Sequence, residues 1–334
     1  MTSDPRQTLL GLINGFQITQ AIRVAATLRI ADHLSEGARS AGELAVLTKS
    51  HPDSLYRLLR ALAAAGLFRE GEGRKFALTP MGDCLRTASA TPLEAWAQVV
   101  GSPYVWQAWG HLLHSVQTGE NAFKSLNGKD VWQFRAEHPE YGATFDRAMT
   151  ELSGGSAEAV IRAYDFSSFR HIVDVGGGQG LMLAAILLAH PHMRGTLFDQ
   201  PDVVMGANSV LAERGIVERC GIVGGNFFEM LPEGGDGYMM RVVIHDWEDD
   251  EAIAILKVCR RAMAETARLL LVERLIAPPN EVPAAKFGDL HMLVSPGGRE
   301  RTLEEFSDLF ARSGFDLTRV FPAGIHNVIE ARPK

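Results

Sequence analysis

Five polar side chains follow predicted strands in the carboxyl-terminal half of the chain: Asp174, Asp199, Asn226, His245 and Glu273. Ligands of an open parallel sheet collect outside the carboxyl ends of its strands, so these side chains would meet at one edge. Carboxylates can hold cationic groups and sugar hydroxyls, and a histidine can remove a proton from a substrate. The pattern predicts a cofactor site beside an acid–base group, although a histidine that only caps or packs is the alternative for His245.

The glycine-rich turn HIVDVGGGQG, residues 171–180, indicates what the cofactor is. Gly176, Gly178 and Gly180 can adopt positive φ and let a nucleotide approach the start of the following helix. The next predicted strand ends at Asp199, where a nucleotide-binding unit presents a carboxylate to ribose hydroxyls. The alternative is an ordinary strand–helix turn with a solvent-exposed Asp199.

The spacing of the glycines disfavours a nicotinamide dinucleotide. A dinucleotide fingerprint requires its third glycine at position 181, which is Leu181 here. The acidic Asp174 before the glycines would repel a pyrophosphate but suits the ammonium group of a methionine moiety. These residues therefore favour S-adenosylmethionine over NAD.

Composition excludes several classes of protein. The 334 residues suffice for two domains, and 33 basic against 40 acidic residues give a net charge of −7, which argues against nucleic acid as the main partner. Cys84, Cys220 and Cys259 lack CxxC spacing, so we expect neither a disulfide framework nor a zinc site. The amino-terminal MTSDPRQ lacks a basic leader pattern, and no segment has about eighteen unbroken apolar residues. We expect a cytoplasmic protein without a membrane partner.

The amino-terminal region reads as helices followed by a hairpin. Residues 8–34 carry apolar side chains at helical spacing, Ser40 and Glu43 form a capping-box pattern, and a helix from Pro52 is stopped by Gly66. A small hairpin follows at 67–78, which completes a winged-helix arrangement.

Winged helices often bind DNA, but the candidate recognition helix offers only Arg57 and Arg60 among leucines and alanines. We favour a dimerisation module, with a plain helical domain in a monomer as the alternative.

The rest of the chain predicts an α/β fold. Residues 92–165 are helical and rich in aromatic side chains, which are more typical of a core than of a substrate site. After Arg170, strands alternate with helices as in a parallel sheet, and a terminal hairpin follows. The five predicted strands are HIVDV, GTLFD, GIVGGNFF, GYMMRVVIH and RLLLVERLI.

Over nearly its whole length the chain resembles the S-adenosylmethionine-dependent small-molecule O-methyltransferases, including caffeic-acid-type, hydroxyindole and bacterial natural-product tailoring enzymes. The motifs that carry the resemblance are VDVGGGQG, LFDQPDVV, GGNFFEMLP, RVVIHDWEDDEAIAIL, LLLVERLI and PGGRERTLEEF. The resemblance implies a mainly helical winged-helix dimerisation domain at 1–98 and a Rossmann-like methyltransferase domain at 99–334. Within the latter, 99–165 would line the substrate and 166–334 would form the core.

The resemblance also implies a homodimer that methylates a hydroxyl of an aromatic or polyketide-like small molecule in secondary metabolism. It implies His245 as general base with Glu273 and Glu300 flanking it. The implied cofactor-binding residues are Asp174, Gly176, Gly178, Asp199, Asn226, Phe227 and Arg241, and the implied substrate-binding residues are Met149, Trp247 and Met292.

Three positions depart from the family pattern. Asn226 stands where aspartate is common, Arg241 where lysine is usual, and Gln179 where threonine is common. An amide oxygen can still accept from the adenine amino group, so we expect cofactor binding with altered strength.

The proton transfer sets a requirement on the site. A phenol titrates near 10 and histidine near 6.5, so the transfer in water is uphill by roughly 5 kcal/mol. A carboxylate at Glu273 or Glu300 would stabilise the imidazolium. No metal is required, since the acids at 248–251 suit a helix start.

Three other functions are weighed against methyl transfer. A relative that uses the same cofactor for hydroxylation or decarboxylation would be expected to lack the base. The glycine spacing disfavours a nicotinamide dehydrogenase, and the acidic composition disfavours a metabolite-sensing DNA-binding protein.

Overall fold

The computed structural model describes residues 4–334, with backbone alone at residues 154 and 155. The first three residues of MTSDPRQ lie outside the described residues. The chain forms two compact units. The first comprises the residues up to Trp106 together with Pro139–Leu152, and the second comprises Gln107–His138 together with Ser153–Lys334. The domain division predicted between residues 98 and 99 stays a prediction.

The amino-terminal part contains short helices and a three-stranded antiparallel sheet. The helices are α1 (Pro5–Ile13), α2 (Gly15–Thr27), α3 (Ile30–His33), α4 (Ala41–Thr48), α5 (Pro52–Ala64), α6 (Pro80–Asp83), α7 (Glu94–Val100) and α8 (Pro103–Gly110). The strands are β1 (Arg39–Ser40), β2 (Phe68–Gly71) and β3 (Lys75–Leu78), in the order β1-β3-β2. The Ser40–Glu43 capping box forms as predicted. The amphipathic α5 buries Leu55, Leu59 and Leu62 against the hairpin core.

The apolar segment 8–34 is divided among three helices instead of forming one. Helix α1 ends before Asn14, and Arg29 adopts the left-handed φ of 51° between α2 and α3. The first half of the segment leaves large apolar side chains exposed, with Leu12 at 74% and Ile13 at 61%. Such a contiguous apolar surface is typical of an interface.

The middle of the chain is helical, as predicted: α9 (Leu112–Thr118), α10 (Ala122–Asn127), α11 (Val131–Glu137) and α12 (Pro139–Ala163). The remaining helices are α13 (Leu181–Ala189), α14 (Pro201–Val204), α15 (Ala207–Glu213), α16 (Asp249–Ala262), α17 (Pro283–Val294) and α18 (Leu303–Ser313). The remaining strands are β4 (His171–Val175), β5 (Arg194–Asp199), β6 (Cys220–Gly224), β7 (Gly237–Arg241), β8 (Arg268–Glu273), β9 (Phe315–Ala323) and β10 (His326–Pro333).

The seven carboxyl-terminal strands form one sheet in the order β6-β5-β4-β7-β8-β10-β9. Strands β4 to β8 pair in parallel, and β10 pairs antiparallel to both β8 and β9 as the predicted terminal hairpin. The chain proceeds outward from β4 to β6 and then returns to β7. The strand order therefore switches between β4 and β7, which is where doubly wound sheets bind ligands. The predicted α/β, Rossmann-like class is confirmed.

Two predicted strands end earlier than the sequence indicated. Strand β6 ends at Gly224, so Asn226 lies in the turn that follows. Strand β7 ends at Arg241, because Val242 adopts φ of 56°, and a 3-10 turn then carries His245 at Ile244–Asp246. His245 is thus held by a turn and not by the strand itself. Within residues 4–334, we find no helix that is both long and apolar enough to cross a bilayer.

Candidate active site

Asp174 is a buried carboxylate at the switch point. It lies near the end of β4 and is 1% exposed. Neither of its oxygens makes a hydrogen bond of ordinary geometry among the described residues. Burial raises the pKa of Asp174 to about 7, although the charge of Arg241 and a backbone interaction with Leu183 oppose this. A buried carboxylate without a direct partner is destabilising, and the charge of Arg241 offsets only part of that cost, so this position points to a cationic ligand group.

The glycine loop brings Asp199 against the backbone. The N–H of Gly178 donates to Asp199 Oδ2 at 2.8 Å, and the N–H of Gln200 donates to Oδ1 at 2.7 Å. Burial raises the pKa of Asp199, while both N–H bonds lower it. Asp199 is half-buried and not the solvent-exposed residue of the alternative interpretation. Each oxygen keeps a lone pair with which it can accept from a ribose hydroxyl.

Gly176 and Gly178 both adopt positive φ, 69° and 61°, as expected for this loop. A Cβ at Gly176 would lie 2.6 Å from Val243 Cγ2, so a larger residue there would displace the turn that carries His245. A Cβ at Gly178 would meet no heavy atom of the described residues within 4 Å. The backbone is therefore open at Gly178, where a ligand can approach it.

Asn226 uses its amide locally. Its Oδ1 accepts from the N–H of Phe228 at 3.0 Å, and its Nδ2 donates to Glu229 Oε1 at 3.0 Å. An aspartate at this position could not make the second bond, since its side chain has no N–H to donate. The half-buried Phe227 packs edge-to-face on Trp247, with 5.9 Å between ring centroids. Trp247 is thus placed beside the predicted cofactor residues, and its assignment to the substrate stays a prediction.

Arg241 is the last residue of β7, and its charge acts on two buried acids. Its charge interacts with Asp174 and Glu273, while burial lowers its pKa. Its guanidinium donates to Ser153 Oγ. Arginine here supplies a fixed positive charge that balances part of the negative charge at the sheet edge.

Glu273 stabilises the strained turn after β7. This last residue of β8 is fully buried, and its Oε1 accepts from the N–H groups of Val243 (3.1 Å) and Ile244 (2.9 Å). Val242 is β-branched and adopts a positive φ, which is energetically unfavourable. The two hydrogen bonds to Glu273 offset part of that free-energy cost. Glu273 therefore fixes the backbone that presents His245.

His245 is buried at 7% exposure and is held directly by Glu300. Its Nδ1 lies 3.1 Å from Glu300 Oε1, and its Nε2 lies 3.5 Å from Asp246 Oδ1. A carboxylate on Nδ1 stabilises the tautomer with the proton on that nitrogen, which leaves Nε2 to accept a proton. Sequence reasoning did not connect Asp246 with His245, and the structure places its carboxylate beside the imidazole.

The charge balance makes the imidazole a stronger base than free histidine. Burial lowers the pKa of His245, but the carboxylates of Asp246, Glu273 and Glu300 outweigh it and raise the value to about 9. Burial in turn raises the pKa of Glu273 to about 7 and that of Asp246 to about 6. Such opposed shifts within one buried cluster are typical of acid–base sites.

The PGGRERT segment contributes two residues that sequence reasoning did not single out. Arg301, fully buried, donates to the carbonyls of Ile244 (3.2 Å) and Trp247 (2.8 Å) and pairs with Asp249 at 2.9 Å. A Cβ at Gly298 would lie 2.2 Å from the carbonyl oxygen of His245. The segment therefore packs directly on the His245 turn. In the sequence, the paired glycines and the arginines of this segment were the signal that could have marked it as a packing element.

Helix α17 carries the predicted substrate residue Met292, which is buried. Asp289 on the same helix accepts from the N–H of Glu300 at 3.0 Å, so α17 lies beside the His245–Glu300 pair. Met149 belongs to the first unit. Its role in substrate binding stays a prediction.

The same cluster has the spacing of a cation site. His245, Glu273 and Glu300 each offer one ligand atom, and these atoms lie within 4.8 Å of one another. The prediction that no metal takes part stays a prediction.

Two family models match this chain. Residues 10–88 match the O-methyltransferase dimerisation domain, and residues 109–316 match the O-methyltransferase domain. The first match confirms the predicted dimerisation module and homodimer.

Three similar proteins illustrate the range of chemistry. A phenazine O-methyltransferase from Lysobacter antibioticus is 43% identical, over 97% of this chain and 95% of that protein. An O-methyltransferase of neocarzinostatin biosynthesis, solved with S-adenosylmethionine and 2-hydroxy-5-methyl naphthoic acid, has a TM-score of 0.82 at 34% identity and covers 95% of this chain and 96% of its own. An aclacinomycin 10-hydroxylase from Streptomyces purpurascens is 36% identical, over 95% of this chain and 86% of that protein.

Proposed function

Because the chain belongs to the O-methyltransferase family, we propose that it transfers a methyl group from S-adenosylmethionine to a hydroxyl of an aromatic or polyketide-like small molecule. The buried His245–Glu300 pair beside the switch point is the observation that supports His245 as the general base. We include a cytoplasmic location and a role in secondary metabolism in this proposal.

The residues at the switch point fit the cofactor. Asp174 presents two unpartnered, buried oxygens that suit its ammonium group, and Asp199 suits its ribose hydroxyls. The open backbone at Gly178 admits the ligand. Phe227 offers an aromatic face for the adenine, and Arg241 balances the charge of the site.

When bound, S-adenosylmethionine supplies an electrophilic methyl group and a positive charge. His245 accepts the hydroxyl proton at Nε2, since Nδ1 is engaged by Glu300. The imidazolium that results is stabilised by the surrounding carboxylates, with Asp246 on the Nε2 side. The substrate oxygen is thereby prepared for in-line attack, and its positioning supplies much of the rate.

The shifted pKa reduces the cost of that proton transfer. A base of pKa about 9 and a phenol of pKa near 10 differ by about one unit, on the order of 1 kcal/mol, against about 5 kcal/mol for free histidine. The consequence is that the base is neutral only in a minor fraction of molecules at neutral pH. We therefore expect activity that increases toward alkaline pH.

One experiment tests the assignment against the hydroxylation alternative. The purified protein is incubated with S-adenosylmethionine labelled in its methyl group and a panel of phenolic, quinonoid and polyene alcohols, and products are resolved by mass spectrometry. Methyl transfer to oxygen supports the proposal. Products that gain oxygen without label, or no transfer to any hydroxyl, contradict it.

A further inference from the structure

A second histidine, His291, lies beside the proposed reaction site. His291 belongs to helix α17, which packs on Glu300. A Cβ at Gly288 of this helix would lie 3.5 Å from Glu300 Oε1, and Asp289 accepts from the N–H of Glu300. Residues three apart on a helix are neighbours on its surface, so His291 follows Gly288 by one turn on that face. His291 therefore lies on the helix face that packs on Glu300, and the charge of His245 acts on it.

Trp109 determines which nitrogen of His291 carries the proton. The indole Nε1 can only donate, and it lies 3.1 Å from His291 Nδ1, with the rings stacked at 16°. Nδ1 must therefore be the acceptor, so the proton resides on Nε2. That Nε2 forms no hydrogen bond with the described part of the chain, and the side chain is half-buried. The ring thus presents an oriented N–H donor that the protein itself does not use.

The electrostatic surroundings keep this ring neutral. Burial, then the charges of Arg135 and His245, lower the pKa of His291 to about 4. The two histidines are thus shifted in opposite directions. With its Nδ1 occupied and its Nε2 protonated, His291 can donate a hydrogen bond but cannot take the substrate proton.

We propose that His291 is a positioning residue whose Nε2–H donates to an acceptor atom next to the hydroxyl that is methylated. The proposal rests on the proposed function and deepens it. It specifies hydroxylated aromatics in which a carbonyl oxygen or a ring nitrogen flanks the reacting hydroxyl. A site with a dedicated donor discriminates against analogues without an acceptor, because the donor is then left unpaired.

Binding of two nearly isosteric probes tests this inference. 8-Hydroxyquinoline places a ring nitrogen beside its hydroxyl, and 1-naphthol has a CH in its place. Calorimetry with the protein loaded with S-adenosylhomocysteine, and a chelator present, should show about 10-fold to 100-fold tighter binding of 8-hydroxyquinoline. His291→Phe should abolish the preference, and His291→Gln, which retains an N–H donor, should restore part of it. The matched control His114→Phe, at a histidine bonded to Glu120, should leave the preference unchanged.

The outcomes separate this inference from the proposed function. Equal binding of the two probes by the wild type, or a preference that persists in His291→Phe, overturns the role of His291. Failure of the wild type to methylate any hydroxyl, with the preference intact and dependent on His291, refutes the proposed function and supports the role of His291 as a hydrogen-bond donor to the ligand. Thermal unfolding and affinity for S-adenosylhomocysteine should match the wild type in His291→Gln, as a positioning role requires.

Discussion

Replacing Glu300 with glutamine tests whether the neighbouring carboxylates determine the basicity of His245. Glu300→Gln keeps the shape of the side chain and an oxygen that can accept from Nδ1, which lies 3.1 Å from Oε1. It removes the negative charge and replaces the second carboxylate oxygen with an NH2 group of similar size. A change in the acid–base behaviour of His245 can therefore be assigned to electrostatics and not to lost packing.

The expected direction follows from the charge balance. The carboxylates hold the pKa of His245 at about 9 in spite of burial, which acts the other way. Only the neutral imidazole accepts a proton, so kcat/KM of the wild type should rise with pH to about 9. A hydrogen bond to a charged partner contributes roughly 1 kcal/mol more than one to a neutral partner, which corresponds to about one pKa unit. The acid limb of Glu300→Gln should therefore lie about one pH unit lower, and its alkaline plateau should be about 10-fold lower because the base is weaker.

The assay measures initial rates of methyl transfer at saturating cofactor across the pH range, with the best acceptor from the hydroxylated panel. Glu304→Gln is the matched control, since Glu304 is exposed in the first turn of α18. Its profile should coincide with that of the wild type. Coincident acid limbs for Glu300→Gln and the wild type would refute the claim that Glu300 sets the basicity of His245.

Three further outcomes are expected. His245→Gln should bind the cofactor with unchanged affinity in calorimetry, yet its turnover should be roughly 10²-fold to 10⁴-fold lower, which is the usual contribution of a positioned base. Near-normal turnover would mean that the hydroxyl ionises without a base. Asp174→Asn should weaken cofactor binding at least about 10-fold and stabilise the free protein at alkaline pH. The folded-state pKa of Asp174, about 7, exceeds the unfolded value of 3.8, so wild-type stability should fall between those pH values by up to roughly 4 kcal/mol. Urea unfolding that shows the same fall in Asp174→Asn would contradict this. Leu12→Arg, at an exposed apolar position of α1, should shift the dimer toward monomer in light scattering. The control Leu188→Arg, at an exposed leucine of α13, should leave the dimer intact. A Leu12→Arg protein that remains fully dimeric would place the interface elsewhere.

The sequence by itself determined the elements whose signals are local. Hydrophobic runs located the strands, and positive-φ glycines marked the loop after β4, because both depend on a few neighbouring residues. Chain order and the parallel-sheet rule then placed Asp174, Asp199 and Glu273 at one edge. The family motifs added Glu300, which no local pattern connects to His245.

Tertiary structure alone decided how those residues interact. The sequence predicted that β7 continues through His245, because the apolar run of this strand extends beyond Val242. The turn at Val242 depends on hydrogen bonds to Glu273, about thirty residues later in the chain. It could not distinguish Glu273, which holds the backbone, from Glu300, which contacts the imidazole. The pairing of Trp109 with His291 joins residues that are 182 positions apart. Side-chain hydrogen bonds and burial depend on such distant contacts, so the charge state and the donor direction of each histidine are set by the fold.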